Sequence, residues 1–184
     1  MKKTLFLMLF CICSLSVNAQ VTNNAKQFLS KLSNHCHKAY VGKIVSSPVP
    51  DDFKDKELIM YVMSCNENEV KIPFFVGDDL SRTWVFNLKE DFIQLKHDHR
   101  HRNGTPDEIT MYGGTSTNVG RNDIQFFPAD QETVAMLPAA AGNVWWVTIT
   151  DTEYTYNLRR VDTGSFFSVV FDLTKEVQTD KRPW

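Results

Sequence analysis

Most of this chain is a succession of short segments in which apolar and polar residues alternate, each separated from the next by turn-forming residues. Alternation with a period of two is typical of β-strands that bury one face. The intervening turns include Gly77-Asp78-Asp79, Asn103-Gly104 and Asp162-Thr163-Gly164. The predicted strands span 40–45, 57–65, 69–76, 82–88, 92–100, 107–112, 123–127, 144–149, 154–161 and 166–173. So many short strands joined by short turns predict an antiparallel sandwich or barrel.

One helical segment precedes this pattern and a second one interrupts it. The segment 23–35 begins at Asn23, a residue type that caps helices, and carries four apolar residues at helical spacing: Ala25, Phe28, Leu29 and Leu32. A shorter segment, 130–137, ends before Pro138. A barrel is favoured over a sandwich because closure removes the exposed edges of a long meander. The predicted fold is therefore all-β, an antiparallel up-and-down barrel of about 8–10 strands with a short N-terminal helix.

Residues 1–19 have the pattern of a secretory signal peptide. Lys2 and Lys3 precede an apolar run, and Val17-Asn18-Ala19 provides small residues for cleavage. The run is shorter than the ~20 residues that cross a bilayer, so no membrane span is predicted. The mature chain would form a single domain, 20–184, that is secreted or periplasmic.

The cysteines fit an oxidising compartment. Of four cysteines, Cys11 and Cys13 belong to the predicted signal peptide, which leaves Cys36 and Cys65. An even number of cysteines in an exported protein favours a Cys36–Cys65 disulfide. The alternative is a metal-binding group in which two histidines flank Cys36, although the spacing matches no zinc knuckle.

Charge and motifs narrow the classes of function. The chain has a formal net charge of −2, and the predicted signal peptide holds two of its lysines, so the basic surface expected for nucleic-acid binding is missing. The sequence contains no Gly-x-Ser-x-Gly, Walker, Rossmann, His-Glu-x-x-His or EF-hand pattern. The sequence therefore favours a binding protein over an enzyme, and no catalytic residue is assigned.

Three of the five histidines occupy alternate positions of one predicted strand. His97, His99 and His101 are in phase with the apolar Ile93 and Leu95, so they should extend the inward face. Imidazoles two residues apart can share a metal ion, and zinc is the candidate. All three positions span about two strand repeats of ~6.6 Å, which limits a straight strand to two ligands for one ion. The alternatives are a hydrogen-bonded polar layer, solvated histidines at a barrel mouth, or contacts with an organic ligand.

The Asn103-Gly104 turn sets a predicted register for these histidines. A two-residue or four-residue loop pairs His97 with Tyr112 and His101 with Glu108. Directly paired residues share a face, so Glu108 and Tyr112 would join the histidine surface. A three-residue loop would break this register.

The predicted strand 154–161 supplies a second candidate lining, because Tyr154, Tyr156, Leu158 and Arg160 share one face. The alternative is that Arg160 is solvated or pairs with a surface carboxylate. The predicted strands also carry Trp84, Trp145 and Trp146. Neighbours in a strand point to opposite faces, so one indole of Trp145-Trp146 packs in the core and the other faces outward, where it could mark a partner surface.

In architecture the chain resembles the lipocalin-like (calycin) barrels and the uncharacterised secreted bacterial proteins of that type. The Tyr40-Val41-Gly42-Lys43-Ile44 segment occupies the place of the lipocalin Gly-x-Trp signature but lacks the tryptophan. The resemblance implies an internal cavity for a small ligand. Several fatty-acid-binding barrels hold a carboxylate with an arginine and a tyrosine from late strands, and the pairing of Arg160 with Tyr154 or Tyr156 looks similar. Some lipocalin-like periplasmic proteins bind zinc through three histidines.

The expected function is therefore a secreted or periplasmic small-molecule-binding protein, and the alternative is a periplasmic zinc-binding protein. The expected ligand contacts are His97, His99, His101, Glu108, Tyr112, Tyr154, Tyr156 and Arg160, and the expected metal ligands are the three histidines of this set.

Overall fold

The computed structural model describes residues 23–184. The predicted signal peptide, 1–19, and its cleavage before Gln20 lie outside the described residues. Two α-helices are present, α1 (Asn24–Ser33) and α2 (Gln131–Met136). The strands are β1 (Ala39–Ile44), β2 (Leu58–Tyr61), β3 (Ser64–Cys65), β4 (Glu69–Val76), β5 (Asp79–Lys89), β6 (Phe92–His99), β7 (Tyr112–Thr115), β8 (Ile124–Pro128), β9 (Asn143–Ile149), β10 (Glu153–Arg160) and β11 (Phe166–Val177).

The strands form one eleven-stranded antiparallel sheet that curls into a nearly closed barrel. Its order is β7-β6-β5-β4-β2-β1-β11-β10-β9-β8, with the short β3 paired to β4 outside this path. Most strands pair with the next one along the chain, and the pairing of β1 with β11, for example Lys43 with Val170, brings the first and last strands together. The predicted all-β, antiparallel barrel with a short N-terminal helix is thus confirmed.

Helix α1 closes one end of the barrel. The Asn23 side chain accepts a hydrogen bond from the Lys26 backbone N–H at 2.7 Å, which caps the helix as predicted. The apolar stripe of α1 is fully buried, and Phe28 contacts Phe86 of β5 with ring centroids 6.3 Å apart. The core next to the helix is therefore filled by side chains, which leaves only the opposite end of the barrel available for a cavity.

The Cys36–Cys65 disulfide is present, as the sequence predicted. Cys36 follows α1, and Cys65 lies in β3. The bond therefore links the helix that closes the barrel to the strand beside β4. Among residues 23–184, no helix is long and apolar enough to cross a membrane.

The sheet path ends at β7 and β8, and a side chain of α2 is hydrogen-bonded to β7. The buried Thr133 hydroxyl donates to the Gly113 carbonyl at 2.8 Å and accepts from the Gly113 N–H at 2.7 Å. Beside it, Gly114 packs so closely on β8 that an added Cβ would lie 1.9 Å from the Pro128 carbonyl oxygen. Glycine is required here because a rigid backbone atom occupies the space of any side chain.

We expect the Gly114→Ala substitution to lower the free energy of unfolding by about 2 kcal/mol, because the backbone of β7 or β8 must move to admit the methyl group. Denaturant titration measures the change. The matched control is Gly142→Ala, whose new Cβ would meet only the side-chain carboxylate of the exposed Asp162. Equal losses in the two variants would contradict a tight β7–β8 contact.

Candidate functional site

A cavity of about 560 Å³ occupies the barrel end opposite α1. Phe86 and Leu95 occupy inward positions near the helix and fill the core. The next inward positions away from the helix on the same two strands, Trp84 and His97, line the cavity. A volume of this size is typical of sites for small organic molecules. Successive inward positions of these strands thus belong first to the filled core and then to the cavity wall.

Aromatic rings form most of the cavity wall. Trp84 stacks on Phe74 and Tyr156 at centroid distances of 4.7 and 4.4 Å, and their planes differ by less than 20°. Phe53 belongs to a short 3-10 helix between β1 and β2, and its ring packs 5.0 Å from Phe167. The aromatic lining consists of Phe53, Phe74, Trp84, Tyr112, Trp145, Tyr156 and Phe167, and the aliphatic lining consists of Ile109, Leu137 and Leu158.

His97 is the most deeply buried ionisable group at the cavity, with 4% of its surface exposed. Its Nδ1 lies 3.0 Å from the Tyr112 carbonyl oxygen, which only accepts, so Nδ1 carries the proton and donates. Nε2 is then an acceptor, and the Tyr156 hydroxyl donates to it at 2.6 Å. Both nitrogens of the neutral imidazole are therefore satisfied by the protein itself.

Burial shifts both members of this pair toward their neutral forms. Desolvation lowers the pKa of His97 from 6.5 to about 3, and the hydrogen bond to Tyr112 opposes this only in part. Desolvation likewise raises the pKa of the Tyr156 hydroxyl well above its usual value. The deep wall of the cavity is therefore polar but uncharged at neutral pH.

His99 and Tyr112 continue this polar wall toward the mouth. The Tyr112 hydroxyl lies 3.0 Å from Nε2 of His99, and the Tyr112 ring stacks on His97 with centroids 4.7 Å apart. Burial lowers the pKa of His99, and the nearby Arg82 adds to this effect. Tyr112 thus connects the imidazoles of His97 and His99, and His97 in turn contacts the Tyr156 phenol.

Two arginines line the mouth from different strands. Arg82 of β5 forms a salt bridge with Asp79, and its guanidinium lies 5.8 Å from the centroid of the Phe53 ring. Arg160 of β10 also lines the cavity, is exposed, and has no salt-bridge partner among residues 23–184. Two carboxylates, Asp52 and Asp107, share this rim. Arg160 is therefore the guanidinium that is available to a bound molecule.

Five of the eight residues predicted as ligand contacts meet at this cavity: His97, His99, Tyr112, Tyr156 and Arg160. Tyr154 does not line it. Its fully buried side chain packs between Trp84 and Phe171, and its hydroxyl has no hydrogen-bond partner among the described residues. His101 and Glu108 are exposed and also lie away from the cavity lining.

The predicted pairing of His101 with Glu108 is wrong. His97 pairs with Tyr112 as expected, but Arg100 bridges to Pro106, so extra residues of the returning chain lie between these two points. Residues 107–111 are not a strand but form an irregular bulge, from which Asp107 and Ile109 line the cavity, and Met111 has a φ of +56°. This bulge moves Glu108 off the histidine face and leaves His101 in the turn.

The predicted three-histidine metal site is not assembled. Within residues 23–184, no group of three or more His, Cys, Asp or Glu side chains is placed to hold a metal ion. His97 uses both ring nitrogens in hydrogen bonds, His99 contacts Tyr112, and His101 lies outside the cavity. His97 and His99 instead form the hydrogen-bonded polar layer that was one of the alternatives, whereas His101 does not take part in it. The flanking-histidine metal group at Cys36 is also excluded, because that sulfur is in the disulfide.

Sequence reasoning missed several groups at the mouth, among them Arg82 and Phe53, and expected a different role for two tryptophans. Arg82 had a detectable signal, since it shares the inward phase of Trp84 and Phe86 on β5. Phe53 had none, because it reaches the cavity from a turn-like segment. Trp84 and Trp145 were expected only as core or surface residues, yet both line the cavity.

Comparison with known proteins leaves the site to be interpreted from its own geometry. The chain matches no family model, no curated protein and no solved structure.

Proposed function

We propose that this protein binds a small organic molecule in the cavity of its barrel. The observation that carries the proposal is the combination of volume and lining: about 560 Å³ bounded mainly by aromatic rings, with hydrogen-bonding groups on the deep wall and arginines at the mouth. Binding sites for small molecules combine a mostly apolar wall with a few fixed polar groups in this way. The proposal makes the protein a carrier or sensor with a lipocalin-like architecture.

The proposed location is outside the cytoplasm, either secreted or periplasmic. The disulfide between Cys36 and Cys65 supports it, because such bonds persist in oxidising compartments. The signal-peptide pattern of residues 1–19 supports the same location from the sequence.

Binding can be tested with a pair of fluorescent dyes that share one skeleton. 1-Anilinonaphthalene-8-sulfonate (ANS) is anionic, and N-phenyl-1-naphthylamine (NPN) is its neutral analogue. We expect at least one of them to bind the folded protein saturably at one site, as measured by fluorescence titration and calorimetry. Binding of neither dye would contradict the proposed function.

A cavity-filling variant locates the bound dye. Leu158 of β10 lines the cavity, so the Leu158→Trp substitution should occupy the space and weaken dye binding at least about tenfold, which is ~1.4 kcal/mol. The control is Val144→Trp on β9, which adds the same ring one register position away on the outer face. Ile109→Trp at the exposed rim provides a second blocking variant with less demand on folding. Unchanged binding in both blocking variants would place the dye elsewhere.

A further inference from the structure

The shape of the cavity wall favours some classes of organic molecule over others. The inference drawn from it rests on the proposed function, which is the binding of a small molecule in this cavity. Stacked rings dominate the lining, and Trp84 lies between Phe74 and Tyr156 with nearly parallel planes. Because both faces of Trp84 are covered, this ring meets the cavity with its edge, and edge-to-face contact is a favourable geometry for a planar ring ligand. Flexible alkyl chains gain less from such walls, and they lose rotamer freedom when they are bound.

The charged side chains at the mouth of the cavity also favour one class of ligand over another. Arg160 lines the cavity without a salt-bridge partner among the described residues, whereas Arg82 is paired with Asp79. Burial raises the pKa of Tyr112, and both arginines act in the opposite direction, so their positive charge reaches its hydroxyl at the cavity wall. The carboxylates of Asp52 and Asp107 share the rim, but neither forms a salt bridge with Arg160.

We infer that the ligand is a planar, ring-containing organic anion, whose rings lie against the aromatic wall formed by Phe74, Trp84, Trp145 and Tyr156 and whose anionic group is bound by Arg160. The deep wall then faces the uncharged part of the ligand. Its hydrogen-bonding groups are already paired, as the His97–Tyr156 contact of 2.6 Å shows, so the deep wall demands no ionic partner. Arg160 supplies charge-assisted hydrogen bonds where water still reaches the site.

The anionic part of this inference is tested with the two dyes. ANS should bind about tenfold more tightly than NPN, and Arg160→Gln should weaken ANS about tenfold while it changes NPN less than twofold. The matched control is Arg159→Gln, because Arg159 is the exposed neighbour on β10 that faces away from the cavity, and it should leave both dyes within twofold. Equal affinities for the two dyes, or no effect of Arg160→Gln on ANS, would overturn the assignment of an anion to Arg160.

The planar part is tested by displacement of ANS with two carboxylates that have the same number of carbon atoms, 2-naphthoate and undecanoate. They differ in that one is a rigid ring system and the other a flexible chain. We expect 2-naphthoate to displace ANS at a concentration about tenfold lower. Displacement by undecanoate at an equal or lower concentration would overturn the preference for planar ligands.

These outcomes separate the inference from the proposed function. If the dyes bind in the cavity but fail to distinguish charge or planarity, the inference is wrong and the small-molecule site stands. If neither dye binds, the proposed function itself is contradicted. Where ANS binds, the Leu158→Trp variant should weaken it at least about tenfold, which assigns the measured selectivity to this cavity.

Discussion

The double substitution Cys36→Ser, Cys65→Ser is expected to lower the free energy of unfolding by about 3.5 kcal/mol. The disulfide closes a loop with a sequence separation of 29 residues, and loop closure of this size restricts the unfolded chain by that amount. The loss should be large for this fold because the bond links the end of α1 to β3, and α1 closes the barrel. Urea titration of the parent and the variant measures the difference.

Reduction gives an independent control for the disulfide. Dithiothreitol should lower the unfolding midpoint of the parent protein to that of the serine variant and should leave the variant unchanged. A serine variant as stable as the oxidised parent would contradict the expected contribution of the bond.

Acidification from pH 8 to pH 4 is expected to remove about 3 kcal/mol of stability through His97 alone. The pKa of His97 is about 3 in the folded protein and 6.5 in the unfolded chain, so between these values the unfolded chain binds the additional proton. Stability is therefore fully present above pH 6.5 and is lost as the pH falls toward the folded pKa. Denaturant titrations across this range measure the slope.

A variant that cannot titrate isolates this effect. His97→Gln should flatten the dependence of unfolding free energy on pH between 4 and 7, although the lowered pKa values of His35 and His99 leave a smaller slope of the same sign. An unchanged slope in His97→Gln would contradict the burial of a neutral imidazole at this position.

The barrel was predictable because its strands bury one face, and alternation records that directly in the sequence. Strand β4 was predicted with its observed bounds, Glu69–Val76, and α1 was found from its cap and its apolar stripe. The inward phase of β6 and β10 also identified His97, His99, Tyr156 and Arg160 as neighbours of an interior. Period-two patterns thus indicate which face of the sheet a residue occupies, even where they do not indicate which residue of the neighbouring strand lies beside it.

The remaining parts of the site depended on geometry that is not periodic. The register beyond His97 and Tyr112 failed because residues 107–111 bulge, and Met111 with its positive φ gives no strong turn signal in the sequence. Phe53 reaches the cavity through packing on Phe167 from a segment distant along the chain. Such contacts are set by how loops cross the barrel mouth, which local residue patterns do not record.

The pairing of β1 with β11 also dictates when folding can finish. Lys43 aligns with Val170, so the contact that completes the barrel joins one of the first strands to be synthesised with the last one described. A ladder with such a long sequence separation forms slowly, because a large loop must close before any contact compensates for it. The nascent chain therefore cannot close its barrel until residues 166–177 have left the ribosome, so the hairpins made earlier have no closed barrel to pack into before that point.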